Sequence, residues 1–241
     1  MIPVSIGPDL RACCPSLVME VLECSVVNRE HDPDLWQRVE QEARTVAQRV
    51  PLDQISRHPE IQATREAYKR CGKDPNRYRP SAEALRRRVV QGKGLFRVNV
   101  VVDAVNLVSL ASGCSINGFD AARIEGEVTW GIGRAREPYT AIGGGALNIE
   151  GLPVARDARG PVGTPTRDED RVRIEVDTTR VLLTISAYVG GLLVDEVLGQ
   201  ARDLLIRHAA AADVQTTRLC AGPASTGGID AAGRRDARGR G

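Results

Sequence analysis

The segment 99–120 most constrains the fold of this chain, because it combines an apolar helix pattern with a few polar side chains. Asp103, Asn106 and Ser109 follow one another at intervals of three, so they lie near one face if residues 102–111 are helical. The other positions of that stretch are apolar, which predicts that the remaining faces are buried. We therefore expect a helix inside the domain whose polar face forms the wall of a pocket.

The residues that follow this pattern predict how the chain leaves the helix. Gly113 is expected to end it, since glycine readily adopts the left-handed conformation found after many helices. Asn117 and Gly118 predict a turn. Such a turn returns the Asn117 amide toward the polar face, so that Asn106 and Asn117 border the same pocket.

The hydrophobic pattern elsewhere switches between the periods of strands and helices. It predicts an α+β fold in which mixed sheets of short strands pack with helices. Strand patterns occur at residues 17–27, 123–130, 139–142, 154–157 and 181–187. Helix patterns occur at residues 34–50, 59–71, 81–90 and 192–210.

The domain organisation is predicted from length and composition. A chain of 241 residues is one large domain or two small ones. We predict a single compact domain over residues 1–212, within which residues 1–80 are a candidate subdomain. Residues 221–241 are rich in Gly, Ala and Arg and have few apolar side chains to bury, which predicts a disordered tail.

Several classes of protein are disfavoured by the composition. The sequence has no apolar run of the roughly 18 residues needed to span a bilayer and no secretory signal pattern, so we expect a cytoplasmic protein without a membrane partner. Its six cysteines include no C-x-x-C pair, and no metal site is expected. The glycines at 131–133 and 143–145 lack the further residues of nucleotide-binding motifs, and no cofactor is expected.

A net charge of only +2 gives no global reason to expect nucleic acid, so RNA binding would depend on a local patch. Such a patch is predicted between residues 69 and 97, with Tyr68 and Tyr78 close by for stacking. The alternative is that its arginines form the solvated face of a helix. The ten cations of this stretch, which contains only two acidic residues, are Lys69, Arg70, Lys73, Arg77, Arg79, Arg86, Arg87, Arg88, Lys93 and Arg97.

The string Asn-Val-Val-Val-Asp-x-x-Asn at 99–106, followed by Gly113 and Phe119-Asp120, resembles a known module. This is the tRNA-binding and editing module of the bacterial phenylalanyl-tRNA synthetase beta subunit, formed by its third and fourth domains. Upstream, Tyr78-Arg79-Pro80-Ser81 and neighbouring residues are similar to freestanding proteins built around that module. The similarity extends from about residue 15 to about residue 210. The family's module is an α+β unit that hydrolyses the ester of mischarged tRNA.

The resemblance implies roles for individual pocket residues. Asn106 matches an asparagine that lines the family's editing pocket, and Val105 falls where the family has a threonine. Asn117 falls where the family has a histidine that helps to position the attacking water, which implies a water-positioning role for Asn117. The family's glutamate that recognises the substrate side chain lies in a later loop, where this chain has Asp168, Glu169 and Asp170. Glu169 is the candidate taken from this triplet.

Two further groups of residues complete the expected site. Gly143, Gly144 and Gly145 are expected in the pocket, where their backbone N–H groups would form an oxyanion site. The partner implied by the resemblance is tRNA or aminoacyl-tRNA. Its end is expected to bind Arg86, Arg87, Arg88, Lys93 and Arg97.

Three functions stay open at this point. Asparagine has no titration near neutral pH and cannot act as a general base, so Asn117 predicts a slow freestanding deacylase of mischarged aminoacyl-tRNA. The alternative is a non-catalytic module that binds tRNA or a free amino acid after the editing chemistry was lost. A small-molecule pocket protein unrelated to RNA is the third interpretation.

Overall fold

The computed structural model describes residues 1–188 and 194–222, and these contain six α-helices and eight β-strands. This mixture confirms the predicted α+β fold class. The helices are α1 Pro8–Cys13, α2 Pro33–Arg49, α3 Pro59–Arg70, α4 Ser81–Val90, α5 Val100–Ser112 and α6 Val194–Ala209. The strands are β1 Val4–Ile6, β2 Val18–Ser25, β3 Ile116–Asp120, β4 Val128–Ile132, β5 Pro153–Asp157, β6 Gly160–Gly163, β7 Arg180–Ala187 and β8 Ala212–Cys220.

The strands form two four-stranded sheets. The first sheet has the order β1-β4-β5-β6, with β1 parallel to β4 and the other neighbours antiparallel. The second has the order β3-β7-β2-β8 and is antiparallel throughout. β3 is therefore an edge strand, and half of its backbone groups point away from the sheet and need other partners.

The alternation of side chains along the second sheet explains how the molecule is layered. On one face, Leu22 and Leu183 pack with α5 and α6 in an apolar cluster. On the opposite face, Val21 and Leu182 pack with Trp130 of the first sheet in another cluster. The second sheet thus lies between a layer of helices and the first sheet.

Helix α5 lies within the helical layer, where it packs against α2, α4 and α6. It begins where the Asn99 side chain accepts a hydrogen bond from the Val102 N–H at 3.0 Å. It ends at Gly113, which has a φ of +78° and donates its N–H to the Ser109 carbonyl. A side chain at this position would also meet the His58 ring at 2.5 Å, so only glycine fits. The predicted helix and its glycine end are confirmed.

The predicted turn at Asn117 and Gly118 is wrong, because both residues lie inside β3. Asn117 pairs with Thr184 and Gly118 pairs with Leu183 across the antiparallel ladder to β7. The hydrogen bonds of this ladder outweigh the local turn preference of the two residues.

Most other helix and strand patterns correspond to observed elements. The patterns at 34–50, 59–71 and 81–90 form α2, α3 and α4, and the pattern at 192–210 corresponds to α6, although residues 192 and 193 lie outside the described part. The pattern at 139–142 is a loop with only two isolated bridges, so the strand predicted there is wrong. In the described part of the chain no helix is long and apolar enough to cross a membrane.

The C-terminal part differs from expectation in one respect. Strand β8, which was not predicted, continues to Cys220 and pairs with β2, beyond the predicted domain end at residue 212. Of the predicted tail, residues 223–241 lie outside the described residues, whereas Ala221 donates its N–H to the Leu17 carbonyl at 2.9 Å. The single domain over 1–212, with 1–80 as a subdomain, stays a prediction.

The buried side chain of Arg86 anchors α4 to the C-terminal end of α5. Its Nε donates to the Leu110 carbonyl at 2.9 Å, and a terminal nitrogen donates to the Ala111 carbonyl at 2.7 Å. These carbonyls belong to the last turn of α5, where the helix itself offers no N–H partner. A positive charge is also favourable at the negative end of the helix dipole. Arg86 therefore helps to hold α5 in place.

Replacing Arg86 by alanine should lower the free energy of unfolding by about 2 to 3 kcal/mol, because two carbonyls lose a charged donor. Urea denaturation followed by circular dichroism measures this change. Arg207→Ala, at an exposed position of α6, is the matched control and should change stability by less than about 0.5 kcal/mol. Equal effects of the two substitutions would contradict the anchoring role.

Candidate functional site

A cavity of about 510 Å³ lies between α5 and the edge strand β3, and we call it the α5 pocket. Val102 and Val105 of α5, Ile116 of β3 and the loop residue Ile142 form apolar walls. The volume is in the usual range for small-ligand sites, which combine apolar walls with a few polar groups. The charged and amide side chains of the lining are Asn99, Asn106, Asp168, Arg173 and Glu175.

Of the three polar residues that were predicted to share one face of α5, only Asn106 lines the α5 pocket. Asp103 is buried, which raises its pKa, and it accepts a hydrogen bond from the Val98 N–H at 3.1 Å. Ser109 donates to the Cys114 carbonyl at 2.7 Å. The predicted polar face is therefore reduced to Asn106, because the other two residues hold the chain at the two ends of α5.

Asp168 enters the α5 pocket at the edge of β3. One of its oxygens accepts a hydrogen bond from the Gly118 N–H at 3.1 Å, and the other accepts one from the Asn117 amide. Burial raises the pKa of Asp168 to about 7, although both donors favour the charged carboxylate. Near neutral pH the carboxyl group therefore exchanges readily between its two protonation states, as a general base must.

Asn117 supports Asp168 and does not line the α5 pocket. Ile116 and Gly118 line the pocket, and the alternation along β3 turns Asn117 to the opposite face of the strand. Its amide nitrogen donates to the Thr164 carbonyl at 2.8 Å and to Asp168. Both amide hydrogens are thus used within the protein. The Asn117 amide therefore holds the Asp168 carboxylate from outside the pocket lining, and the water-positioning role expected for Asn117 stays a prediction.

Comparison with known families identifies the domain to which the α5 pocket belongs. Residues 63–212, more than half of the chain and including α5, β3 and Asp168, match the family described as B3/4 domain. The chain belongs to the B3/4 domain family. This is a domain family of the phenylalanyl-tRNA synthetase beta subunit.

A solved structure similar to this B3/4 domain is an N-terminal fragment of the phenylalanyl-tRNA synthetase beta subunit from Pyrococcus horikoshii. The two chains are 12% identical and superpose with a TM-score of 0.44. The match covers 88% of this chain and 50% of that fragment, so the chain spans about half the fragment's length. No curated protein sequence matches the chain.

The glycine-rich loop of this B3/4 domain does not reach the α5 pocket. Gly143, Gly144 and Gly145 are exposed, with φ values of +87°, +89° and +94°, and the pocket lining does not include them. The Gly144 N–H donates to the Ala141 carbonyl at 3.0 Å, so it is already used. The expected pocket role of the three glycines is corrected, since Ile142 is the loop residue that lines the cavity.

Glu169 is also placed differently from expectation. Its carboxylate accepts a hydrogen bond from the Arg171 N–H at 2.7 Å and lies 3.8 Å from the Arg171 guanidinium, outside the pocket lining. Its backbone N–H donates to the Val162 carbonyl at 2.9 Å. Successive side chains of an extended segment point in opposite directions, so Asp168 faces the pocket where Glu169 does not. The candidate acidic residue is therefore corrected from Glu169 to Asp168.

A second depression, which we call the basic groove, lies on the other side of residues 166–168 from the α5 pocket. It has a volume of about 550 Å³, and its lining includes Thr166 and the loop residue Leu147. Arg167 lines this groove while the next residue, Asp168, lines the α5 pocket. Its described lining contains no acidic residue and six cations, namely Arg77, Arg79, Arg87, Arg88, Lys93 and Arg167.

The buried carboxylate of Glu83 organises part of the basic groove. It forms ion pairs with Arg65 at 2.9 Å and with Arg87 at 2.7 Å, and Arg79 lies 3.9 Å away. Because a single carboxylate serves three arginines, the groove keeps an excess of positive charge. Arg87 and Arg79 are positioned at its wall by the same interaction.

Five of the ten cations expected in the basic patch lie outside the lining of the basic groove, namely Lys69, Arg70, Lys73, Arg86 and Arg97. Arg86 is buried against the end of α5, where a phosphate cannot reach it. Arg97 is exposed, but its guanidinium lies 4.8 Å from the centroid of the Trp36 ring rather than in the groove. Tyr68 is buried in the core, so it cannot stack a base. Successive residues of a helix point about 100° apart, which is why Arg86 diverges from its two neighbours.

Two candidate residues were not singled out by the sequence. Asp168 stands in a run of three acidic residues, and no local signal distinguishes it from the other two. Arg167 is far along the chain from the basic cluster, and only the fold brings it into the groove. Across residues 1–188 and 194–222, no group of three or more His, Cys, Asp or Glu side chains is arranged to hold a metal ion.

Replacing Asn117 by alanine should raise the pKa of Asp168 above 7, because the carboxylate loses a donor that favours its charged form. The midpoint of the Asp168 titration should move to higher pH, which carbon NMR of the side-chain carboxyl group measures directly. Asn148→Ala, at an exposed position, should leave the midpoint unchanged. A midpoint that stays in place or falls in Asn117→Ala would refute the coupling.

Proposed function

We propose that this B3/4 domain binds tRNA and hydrolyses the ester bond of aminoacyl-tRNA in the α5 pocket. The observation that carries the proposal is the carboxyl group of Asp168, which Asn117 and the Gly118 N–H hold at the pocket and whose pKa is about 7. Such a pKa suits a base at neutral pH, where a useful fraction is ionised and still basic enough to accept a proton. Membership of the B3/4 family supports the choice of substrate class.

The proposed reaction uses one group as base and then as acid. Asp168 accepts a proton from a water molecule while the water oxygen attacks the ester carbonyl carbon. In the resulting tetrahedral intermediate, the bond between this carbon and the ribose oxygen breaks. The proton passes from Asp168 to the ribose oxygen, which releases the free amino acid and the tRNA and restores the carboxylate. This scheme needs no base at position 117.

The lining of the α5 pocket supports a preference among amino acids. Val102, Val105 and Ile174 form an aliphatic surface that favours the apolar body of a side chain. The Asn106 amide offers both a donor and an acceptor and can pair with one polar group. We therefore expect a substrate whose side chain has an apolar body and a single polar group.

The basic groove supports tRNA as the carrier of that ester. Six cations line a depression that shares the segment of residues 166–168 with the α5 pocket. Arginine and lysine side chains in such a groove bind phosphate oxygens without reading sequence. A tRNA end bound in the groove would bring its aminoacyl group to the adjoining pocket. The protein would then act on tRNA as a deacylase.

Asp168→Asn should slow deacylation by about 100-fold to 10,000-fold, which is the usual contribution of a general base. The assay uses this chain alone with a panel of mischarged aminoacyl-tRNAs. The catalysed rate of the unsubstituted protein should increase with pH and level off above about pH 7, as Asp168 loses its proton.

The matched control for this experiment is Asp177→Asn, which removes the same charge from an exposed position and should not change the rate. If the unsubstituted protein cleaves no substrate faster than the uncatalysed reaction, it is not a deacylase, and a non-catalytic tRNA-binding module remains. If Asp168→Asn keeps the full rate, the assigned base is wrong.

Lys93→Ala and Arg167→Ala should each weaken tRNA binding and reduce the steepness of its salt dependence, by about 0.7 to 0.9 in the slope of log K against log salt. Fluorescence anisotropy with labelled tRNA at several salt concentrations provides the slope. Arg207→Ala removes a charge outside the groove and should leave the slope unchanged. Salt-independent binding would count against tRNA as the partner.

A further inference from the structure

Phe96 presents an aromatic ring to solvent. The residue is 68% exposed, although burial of an aromatic side chain is normally favourable. The Arg88 guanidinium lies 3.7 Å from the ring centroid and covers one face. The exposed surface therefore belongs mainly to the edges and the opposite face of the ring, where a flat partner can stack.

Phe96 stands between the basic groove and the α5 pocket. On one side, Arg88 lines the groove and also contacts the ring. On the other side, Val98 follows two residues later, lines the pocket and is 50% exposed. Two residues of chain span at most about 7 Å, so the Cα atom of Phe96 lies within about that distance of the Cα atom of the pocket residue Val98.

We propose that Phe96 stacks the 3′-terminal adenine of tRNA. This proposal rests on the tRNA binding and ester hydrolysis proposed for the groove and the pocket. The amino acid is esterified to the ribose of that terminal nucleotide, so its base lies one nucleoside away from the ester and the preceding phosphates lie farther off. The spatial order of basic groove, Phe96 and α5 pocket matches the chemical order of phosphate, base and ester.

The surroundings of Phe96 favour a nucleobase over an apolar protein partner. Lys93 and Arg97 are exposed within the same loop, and the ring already carries Arg88. Aromatic rings among exposed cations are typical of sites for single-stranded nucleic acid, where the ring stacks a base and the cations bind phosphates.

The test compares the binding of uncharged tRNA that has a complete CCA end with the same tRNA without its terminal adenosine. The unsubstituted protein should bind the complete tRNA about 5-fold to 100-fold more tightly, as expected when one base stacks on an aromatic side chain. Phe96→Ala should bind both tRNAs equally. Phe96→Tyr keeps a ring and should retain the difference, whereas Lys93→Ala should weaken binding of both tRNAs by the same factor.

A second measurement detects the stacking itself. Phe96→Trp places an indole at this exposed position, whereas the natural Trp36 and Trp130 are buried. The additional emission should be quenched by the complete tRNA and not by the shortened one. This readout does not depend on how well Phe96→Ala folds.

The possible outcomes distinguish base stacking by Phe96 from the proposed deacylase activity. If Phe96→Ala still prefers the complete tRNA by the full factor, or if the indole of Phe96→Trp is not quenched, the stacking proposal is overturned. If the preference for the complete tRNA depends on Phe96 but no aminoacyl ester is cleaved, base stacking by Phe96 is supported and the deacylase activity is refuted. If aminoacyl esters are cleaved but substitution of Phe96 has no effect, the deacylase activity is supported and base stacking by Phe96 is refuted. If the protein does not bind tRNA, both proposals are refuted.

Discussion

The burial of α5 is the constraint on which the rest of this structure depends. Its apolar side chains pack on the second sheet and against neighbouring helices, so few positions other than Asn106 are left for a ligand. Its ends are held by the Asn99 cap and by the Arg86 side chain. Because β3 follows directly after α5 and forms the sheet edge beside it, the α5 pocket is the space that remains between the two.

The edge of β3 explains why an acidic group is found there. An edge strand has backbone N–H groups that no neighbouring strand satisfies. The Asp168 carboxylate accepts one of them, from Gly118, and also accepts the Asn117 amide. The same position partly buries Asp168, and this burial raises its pKa to about 7. The position of Asp168 thus gives a backbone N–H at the sheet edge an acceptor, and it gives the carboxyl group a pKa that would suit a general base.

Local patterns predicted those parts of the site that depend on neighbours in the chain. The length of α5 and its glycine end followed from periodicity and from the left-handed conformation at Gly113. The directions of individual side chains within runs of charged residues could not be predicted from these local patterns. Among three consecutive arginines, the helix turns Arg86 into the core and leaves Arg87 and Arg88 at the groove. Among three consecutive acidic residues, the alternation of an extended segment directs Asp168 into the pocket.

The sequence by itself determined the α+β class, the buried helix α5 with its glycine end, and the membership of a family that is recognised from residues 63–212. Tertiary structure alone decided that the Asn117 amide donates to the Asp168 carboxylate, and that Arg167 joins the basic cluster. The physical reason is that periodicity reports which residues are buried. Hydrogen-bond partners and desolvation instead depend on segments far apart in the chain, whose register only the folded sheets establish.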